Sequence, residues 1–264
     1  MLRLGAEAQA QDCRLLHLTT VTSTMDEARS EAMLLQPWPL WIVADKQQGG
    51  RGRHGREWVS PPGNLYTSLL LPQPCAPAQA AQLGFVASLA LHDTVSGLTG
   101  LHWPQLSLKW PNDLLVMGAK LAGLLLEGIG GPEGRFSVTI GIGVNLASAP
   151  ADTPYPATAL NEHVPPLARD DLFAALSDAM MSRLNQWDGG KGFAGLREAW
   201  LQRSTGVGTT VTLRLPDGPL SGRFTGLDAG GRLELLTAQG LRIIDAGDLF
   251  FGADPGAQTD QKMT

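Results

Sequence analysis

The chain has 264 residues, enough for one large domain or one domain with a small appendage. Hydrophobic residues make up 43% and charged residues 17%, which supports a buried core, while a formal net charge of -5 argues against a general nucleic-acid binder. No apolar run approaches the roughly 20 residues that span a bilayer. The first twelve residues lack the apolar stretch and cleavage site of a secretory signal. Cys13 and Cys75 show neither metal-type nor redox-type spacing, so the expected compartment is the cytoplasm and no membrane is expected as a partner.

Residues 1–12 are rich in Ala and Gln and are expected to be disordered. "CRLLHLTTV" reads as a strand, and "TSTMDEARSEAMLL" as a helix with Ser23 and Thr24 as N-cap candidates and Asp26 and Glu27 in its first turn. "LWIVAD" and "NLYTSLLL" are strands on either side of a Gly/Arg loop. Residues 77–98 open on a proline and carry Leu83, Val86, Ala90 and Val95 at helical spacing. "LSLKW", "DLLVM", "KLAGLLLEGI" and "FSVTIGIGVNL" follow as strands, and residues 149–163 form a Pro-rich loop expected to be mobile. Residues 167–187 and 191–203 read as amphipathic helices. "TTVTLRL", "LSGRFTGLD", "RLELLT" and "LRIIDAGDLFF" then alternate like a small antiparallel unit. The expected architecture is α+β: a mixed β-sheet with helices over residues 13–205, a small β barrel over 206–252 and a disordered tail over 253–264.

Three stretches carry candidate chemistry. In "QQGGRGRHGREW", residues 47–58, glycines let backbone N–H groups approach a ligand, and arginines offer bidentate bonds to phosphate or carboxylate. It is not a Walker A loop, and taken alone such a segment is more often a solvated loop. In "KWPNDLLVMGAKLAG", residues 109–123, Asn112 and Asp113 offer oxygens suited to Mg2+, and Lys120 enters an apolar strand, although alone it reads as a snorkelling hairpin lysine. In "IGIGVN", Gly141 and Gly143 weaken a strand unless something packs on bare backbone; a simple bulge is as good a reading.

The order of these pieces resembles the biotin protein ligases. It runs from the Ser-Thr helix start through "GRGRHGREW" and "KWPNDLL", a lysine eleven positions after Lys109, and then Gly-x-Gly-x-Asn. The likeness extends from about residue 15 to about 252, and the two quoted motifs in tandem are highly specific to that family. The resemblance implies a class II synthetase-like, biotin–lipoate ligase-type catalytic domain followed by an SH3-like barrel. It implies an enzyme that joins biotin and ATP into biotinyl-5′-AMP and transfers biotin to a lysine of a biotin carboxyl carrier protein, with Mg2+ as metal.

By the same resemblance, Ser23, Thr24, Gln47, Gly50, Arg51, Arg53, Lys120, Gly123, Gly141 and Gly143 bind biotin or its adenylate. Arg53, Arg56, Trp58, Lys109, Asn112 and Asn145 bind ATP, and Asp113 holds the metal. Lys120 and Arg53 are the implied catalytic residues. Met25 and His54 depart from the family pattern, where a polar residue and an arginine are common. The core strand begins near Cys13, so neither a preceding DNA-binding domain nor repressor activity is expected; a homodimer is allowed. The competing readings are a lipoate or octanoate ligase or transferase of the same fold, an RG-loop nucleic-acid binder that the acidic composition disfavours, and a peptide adaptor built on the C-terminal unit.

Overall fold

The computed structural model describes residues 2–34, 37–151, 153 and 155–251. Residues 1–12, expected to be disordered, carry instead a short helix, α1 (Ala6–Ala10), with Ala8 fully buried. The physical reason lies far along the chain. The Gly5 N–H donates to Ser177 Oγ at 2.9 Å and the Ala8 N–H to Asp178 Oδ1 at 3.0 Å, which satisfies amide donors that a helix start leaves open. The expected disorder beyond residue 252 lies outside the described residues.

Strand β1 (Arg14–Val21) leads through helix α2 (Thr24–Ala32) into β2 (Leu40–Gln47). The two strands pair in parallel, so the helix serves as their crossover. Ser23 caps α2, its Oγ accepting from the Met25 N–H at 3.2 Å. Next come β3 (Leu65–Pro72), α3 (Gln82–Thr99), β4 (Leu106–Lys109), β5 (Asp113–Val116), β6 (Ala119–Gly130) and β7 (Phe136–Val144). The seven strands form one sheet in the order β1-β2-β3-β7-β6-β5-β4, all antiparallel neighbours except β1 and β2. This is the expected mixed sheet. Helix α3 starts later than the pattern predicts, because Pro77 opens a separate 3-10 turn first.

Alternation along β2 assigns the two faces. Trp41 and Val43 join the main core, built with α3, α4 (Arg169–Trp187) and α5 (Phe193–Arg203). Leu40 and Ile42 turn the other way, onto Ala28 and Ala32 of α2. The sheet is thus covered by three helices on one side and one short helix on the other, which leaves part of the second face for a site.

The small unit contains β8 (Thr210–Leu215), β9 (Gly218–Leu227), β10 (Leu233–Thr237), β11 (Gly240–Ile244) and β12 (Asp248–Phe251). These are ordered β11-β10-β9-β8-β12, with a register shift at Glu234/Leu235 that bends the ladder. "LRIIDAGDLFF", expected as one run, is two strands on opposite edges, divided at a turn containing Gly247. The segment entering this sheet is tied to the large one, since the Thr205 N–H donates to the Leu108 carbonyl at 2.8 Å. The Pro-rich loop, expected to be mobile, is anchored over its second half: Lys120 N–H donates to the Pro156 carbonyl at 2.8 Å, and Thr158 N–H to the Lys120 carbonyl at 3.0 Å.

Asp178→Ala removes the acceptor for the α1 amide. It is expected to lower global stability by about 1 kcal/mol in urea unfolding and to make residues 2–12 the first site of proteolysis. Unchanged stability and protection would show that burial of Ala8 and Leu4 alone holds the segment.

Candidate active site

Strand β7 supplies the floor. Ile140, Ile142 and Val144 belong to the main core, so Gly141 and Gly143 face the opposite side. A Cβ at Gly143 would lie 2.5 Å from Trp58 Cε2, and one at Gly123, its partner on β6, 3.1 Å from Trp58 Cζ3. A Cβ at Gly141 would sit 2.7 Å from Met25 Sδ. The missing side chains therefore make room for the Trp58 ring and the Met25 thioether on bare strand.

At one end of the floor lies a polar network. Gln47 Oε1 accepts from the Thr24 N–H at 2.8 Å and from Thr24 Oγ1 at 3.2 Å, while Ser68 Oγ donates to Thr24 Oγ1 at 2.8 Å. Gln47 Nε2 donates to Ser60 Oγ at 3.0 Å. Ser23 and Thr24 are both buried, held there by the helix cap. Gly50 is needed at the same place, because a Cβ there would meet the Trp58 carbonyl at 2.6 Å.

The Gly/Arg loop is a hydrogen-bonded hairpin. Trp58 N–H donates to the Gly50 carbonyl at 2.9 Å and Gly52 N–H to the Arg56 carbonyl at 2.7 Å. The reversal falls on His54 and Gly55, both at positive φ, +56° and +70°. Its arginines are fastened to three different elements. Arg51 pairs with Asp26 of α2 at 2.7 Å. Arg53 Nη1 donates to the Gly247 carbonyl at 3.1 Å and to Asn112 Oδ1 at 3.4 Å. Arg56 Nη2 reaches both oxygens of Asp248 at 2.8 Å.

Five basic side chains line the cavity beneath this hairpin, Arg51, Arg53, Arg56, Lys109 and Lys120, against three acidic ones, Glu57, Asp113 and Asp248. The local field favours an anion although the whole chain is acidic. Lys120 Nζ is 2.7 Å from Asp113 Oδ1 and 5.5 Å from the Trp58 ring centre. Lys109 has its pKa lowered, chiefly by burial, with the neighbouring Lys120 and Arg56 adding to the fall and Asp113 and Asp248 opposing it. Such a site can grip a phosphate or carboxylate and hold charge that develops on it.

Of the residues singled out in the sequence, Ser23, Thr24, Gln47, Arg51, Arg53, Arg56, Trp58, Lys109, Asn112, Asp113, Lys120, Gly123, Gly141 and Gly143 line this one cavity. Gly50 and Asn145 do not. Asn145 is a brace behind it: its carbonyl accepts from the Leu160 N–H at 2.9 Å and its N–H donates to the Leu121 carbonyl at 2.9 Å. Sequence reading noted Met25 without giving it a place in the site and missed Tyr155, Asp248 and Phe250; all four line the cavity. Tyr155 was hidden in the Pro-rich loop. Asp248 and Phe250 were hidden in a run read as a single strand, where "DAGD" was the overlooked break.

Fold and site together define a chain whose cationic cavity, between a mixed sheet and a small antiparallel sheet, suits an anionic ligand. Residues 17–145 match the Biotin/lipoate A/B protein ligase family, and residues 207–252 match the Biotin protein ligase C terminal domain. A biotin--[acetyl-CoA-carboxylase] ligase of Paracoccus denitrificans is 39% identical over 239 residues, covering 86% of this chain and 98% of that protein. The biotin protein ligase from Aquifex aeolicus in complex with biotin and ATP superposes with a TM-score of 0.75 at 28% identity, over 90% of this chain and 97% of the other. The Leishmania major biotin protein ligase in complex with biotinyl-5-AMP gives 0.62 at 25% identity, over 88% and 99%. The chain belongs to the biotin protein ligase family.

Asp248→Asn weakens the fastening of Arg56 and Arg53 to the small sheet. Amide exchange of residues 50–58 is expected to speed up several-fold with little change in melting temperature, because Arg56 is exposed. Unaltered exchange would assign the hairpin's order to its internal bonds.

Proposed function

We propose that this chain activates biotin with ATP and transfers the biotinyl group to a lysine of a biotin carboxyl carrier protein, in the cytoplasm. In the first step a biotin carboxylate oxygen attacks the α-phosphorus, pyrophosphate leaves, and biotinyl-5′-AMP forms. In the second the carrier amine attacks the mixed anhydride's carbonyl carbon, AMP leaves, and an amide remains. The observation that carries this reading is the convergence of Arg53, on the hairpin, and Lys120, on β6, upon one cavity.

Carboxylate and triphosphate repel each other, and the bond-forming geometry concentrates further negative charge on the α-phosphate. Lys120 and Arg53 offset both effects from fixed positions, and Lys109 extends the positive field toward the leaving phosphates. The Ser23, Thr24 and Gln47 network offers donors and acceptors to the ureido ring of biotin. The hairpin shields the anhydride from water and keeps it bound until the carrier lysine arrives. Mg2+ is usually held by one or two carboxylates plus substrate phosphates. Asp113 offers such a carboxylate: its Oδ1 is buried and sits 2.7 Å from Lys120 Nζ, and no cage of three or more His, Cys, Asp or Glu competes with it among the described residues. Asp113 would hold the ion, which would neutralise phosphate charge.

Two substitutions test the roles. Lys120→Ala is expected to slow biotin-dependent pyrophosphate release by about 100-fold or more while calorimetry still detects biotin binding. Wild-type turnover in that variant would remove Lys120 from the chemistry, and equal release with lipoate in place of biotin would overturn the substrate. Arg53→Gly is expected to let biotinyl-5′-AMP escape, seen by mass spectrometry as biotin on lysines of a bystander protein. Labelling confined to the carrier would mean that the hairpin is not the lid.

A further inference from the structure

Lys109 stands apart from the other cations of the cavity. Arg51, Arg53, Arg56 and Lys120 each have a carboxylate within 4.0 Å. Lys109 has none among the described residues. Its ammonium lies instead 5.9 Å from the ring centre of Tyr155, 5.7 Å from that of Phe250 and 5.9 Å from that of Phe251. These separations are within the range over which a ring face attracts a cation. We propose that Phe250 and Phe251 of β12, with Tyr155 of the Pro-rich loop, are positioning residues that hold the Lys109 ammonium toward the cavity, so that the small sheet forms part of the nucleotide end of the site.

The backbone brings the rings there. Lys109 ends β4, and the Leu108 carbonyl next to it accepts from the Thr205 N–H at 2.8 Å, on the segment leading into β8. β8 pairs with β12, setting Phe250 opposite Thr212 and Phe251 opposite Val211. Gly206 completes the seat, since a Cβ there would come within 2.8 Å of Phe251 Cε1. A lysine is ordinarily a solvated point charge on a flexible stem. Ring faces restrict it without cancelling its charge, as a carboxylate would. The ammonium remains available to a phosphate while its approach is already fixed. The bland alternative is that the rings merely cover the aliphatic stem. Leucine discriminates between the two, because it keeps apolar volume and removes the ring's negative face.

The inference rests on the ligase reading, and the experiment separates the two. Pyrophosphate release is followed at saturating biotin and varied ATP for the full chain and for Phe250→Leu, Phe251→Leu, the pair of Leu substitutions, and Phe250→Tyr. The pair is expected to raise KM for ATP about tenfold while kcat changes less than about threefold, with Phe250→Tyr close to wild type. In a Lys109→Met background the Leu pair is expected to add nothing further. An unchanged KM in the Leu pair, or the same added loss in the Lys109→Met background, overturns the cage and leaves the ligase reading intact. Should the pair fail to fold, half-exposed Phe251→Leu decides alone: a rise in KM of about threefold supports the cage and no rise overturns it. A wild-type chain that releases no pyrophosphate with biotin and ATP sinks the functional reading itself, and the cage with it.

Discussion

Five cations converge on one cavity in a chain that is acidic overall, and the rest of the site depends on how each is kept in place. Like charges brought together in a partly dry space repel, and each also loses hydration. Every one of them is held by a partner from an element other than its own. Arg51 leans on Asp26 of α2, Arg56 on Asp248 of β12, Arg53 on the Gly247 carbonyl, and Lys120 on Asp113 of β5. Lys109 is held by ring faces. The partners come from both sheets, so the positive field is a property of the assembled molecule rather than of the Gly/Arg loop that first suggests it.

The floor expresses a second constraint, one of volume. Along β7 the even-numbered residues Ile140, Ile142 and Val144 enter the core, and the odd-numbered Gly141 and Gly143 carry no side chain. Trp58 and Met25 occupy the space that results. Trp58 thereby joins the loop to the floor and stands beside Lys120. Met25 itself is buried, lines the cavity and rests on Gly141. His54 takes a positive-φ position of the hairpin, away from the cavity lining, and leaves the converging cations in place.

The small sheet is more than an appendage in this arrangement. Its β11–β12 turn takes Arg53, the start of β12 takes Arg56, and Phe250 of β12 faces Lys109. The strap from Leu108 to Thr205 fixes that meeting through backbone. The proposed hold on the anhydride and the proposed orientation of the nucleotide's phosphates thus draw on the same short strand.

Local pattern alone determined a good deal. Alternation marked the strands of both sheets, Ser23 announced the helix cap, and the motifs at 47–58, 109–123 and 140–145 named most of the residues that meet. Their spacing constrains nearby backbone, and a short motif read in order carries its own chemistry. The tertiary structure alone decided what distant groups do. Residues 1–12 were unreadable because their amide partners, Ser177 and Asp178, stand over 160 positions away. The partners of Arg56 and Lys109 lie more than 130 positions off in β12. An ion pair or a ring face at such separation leaves no periodicity in the chain; it exists only once the two sheets have folded against each other.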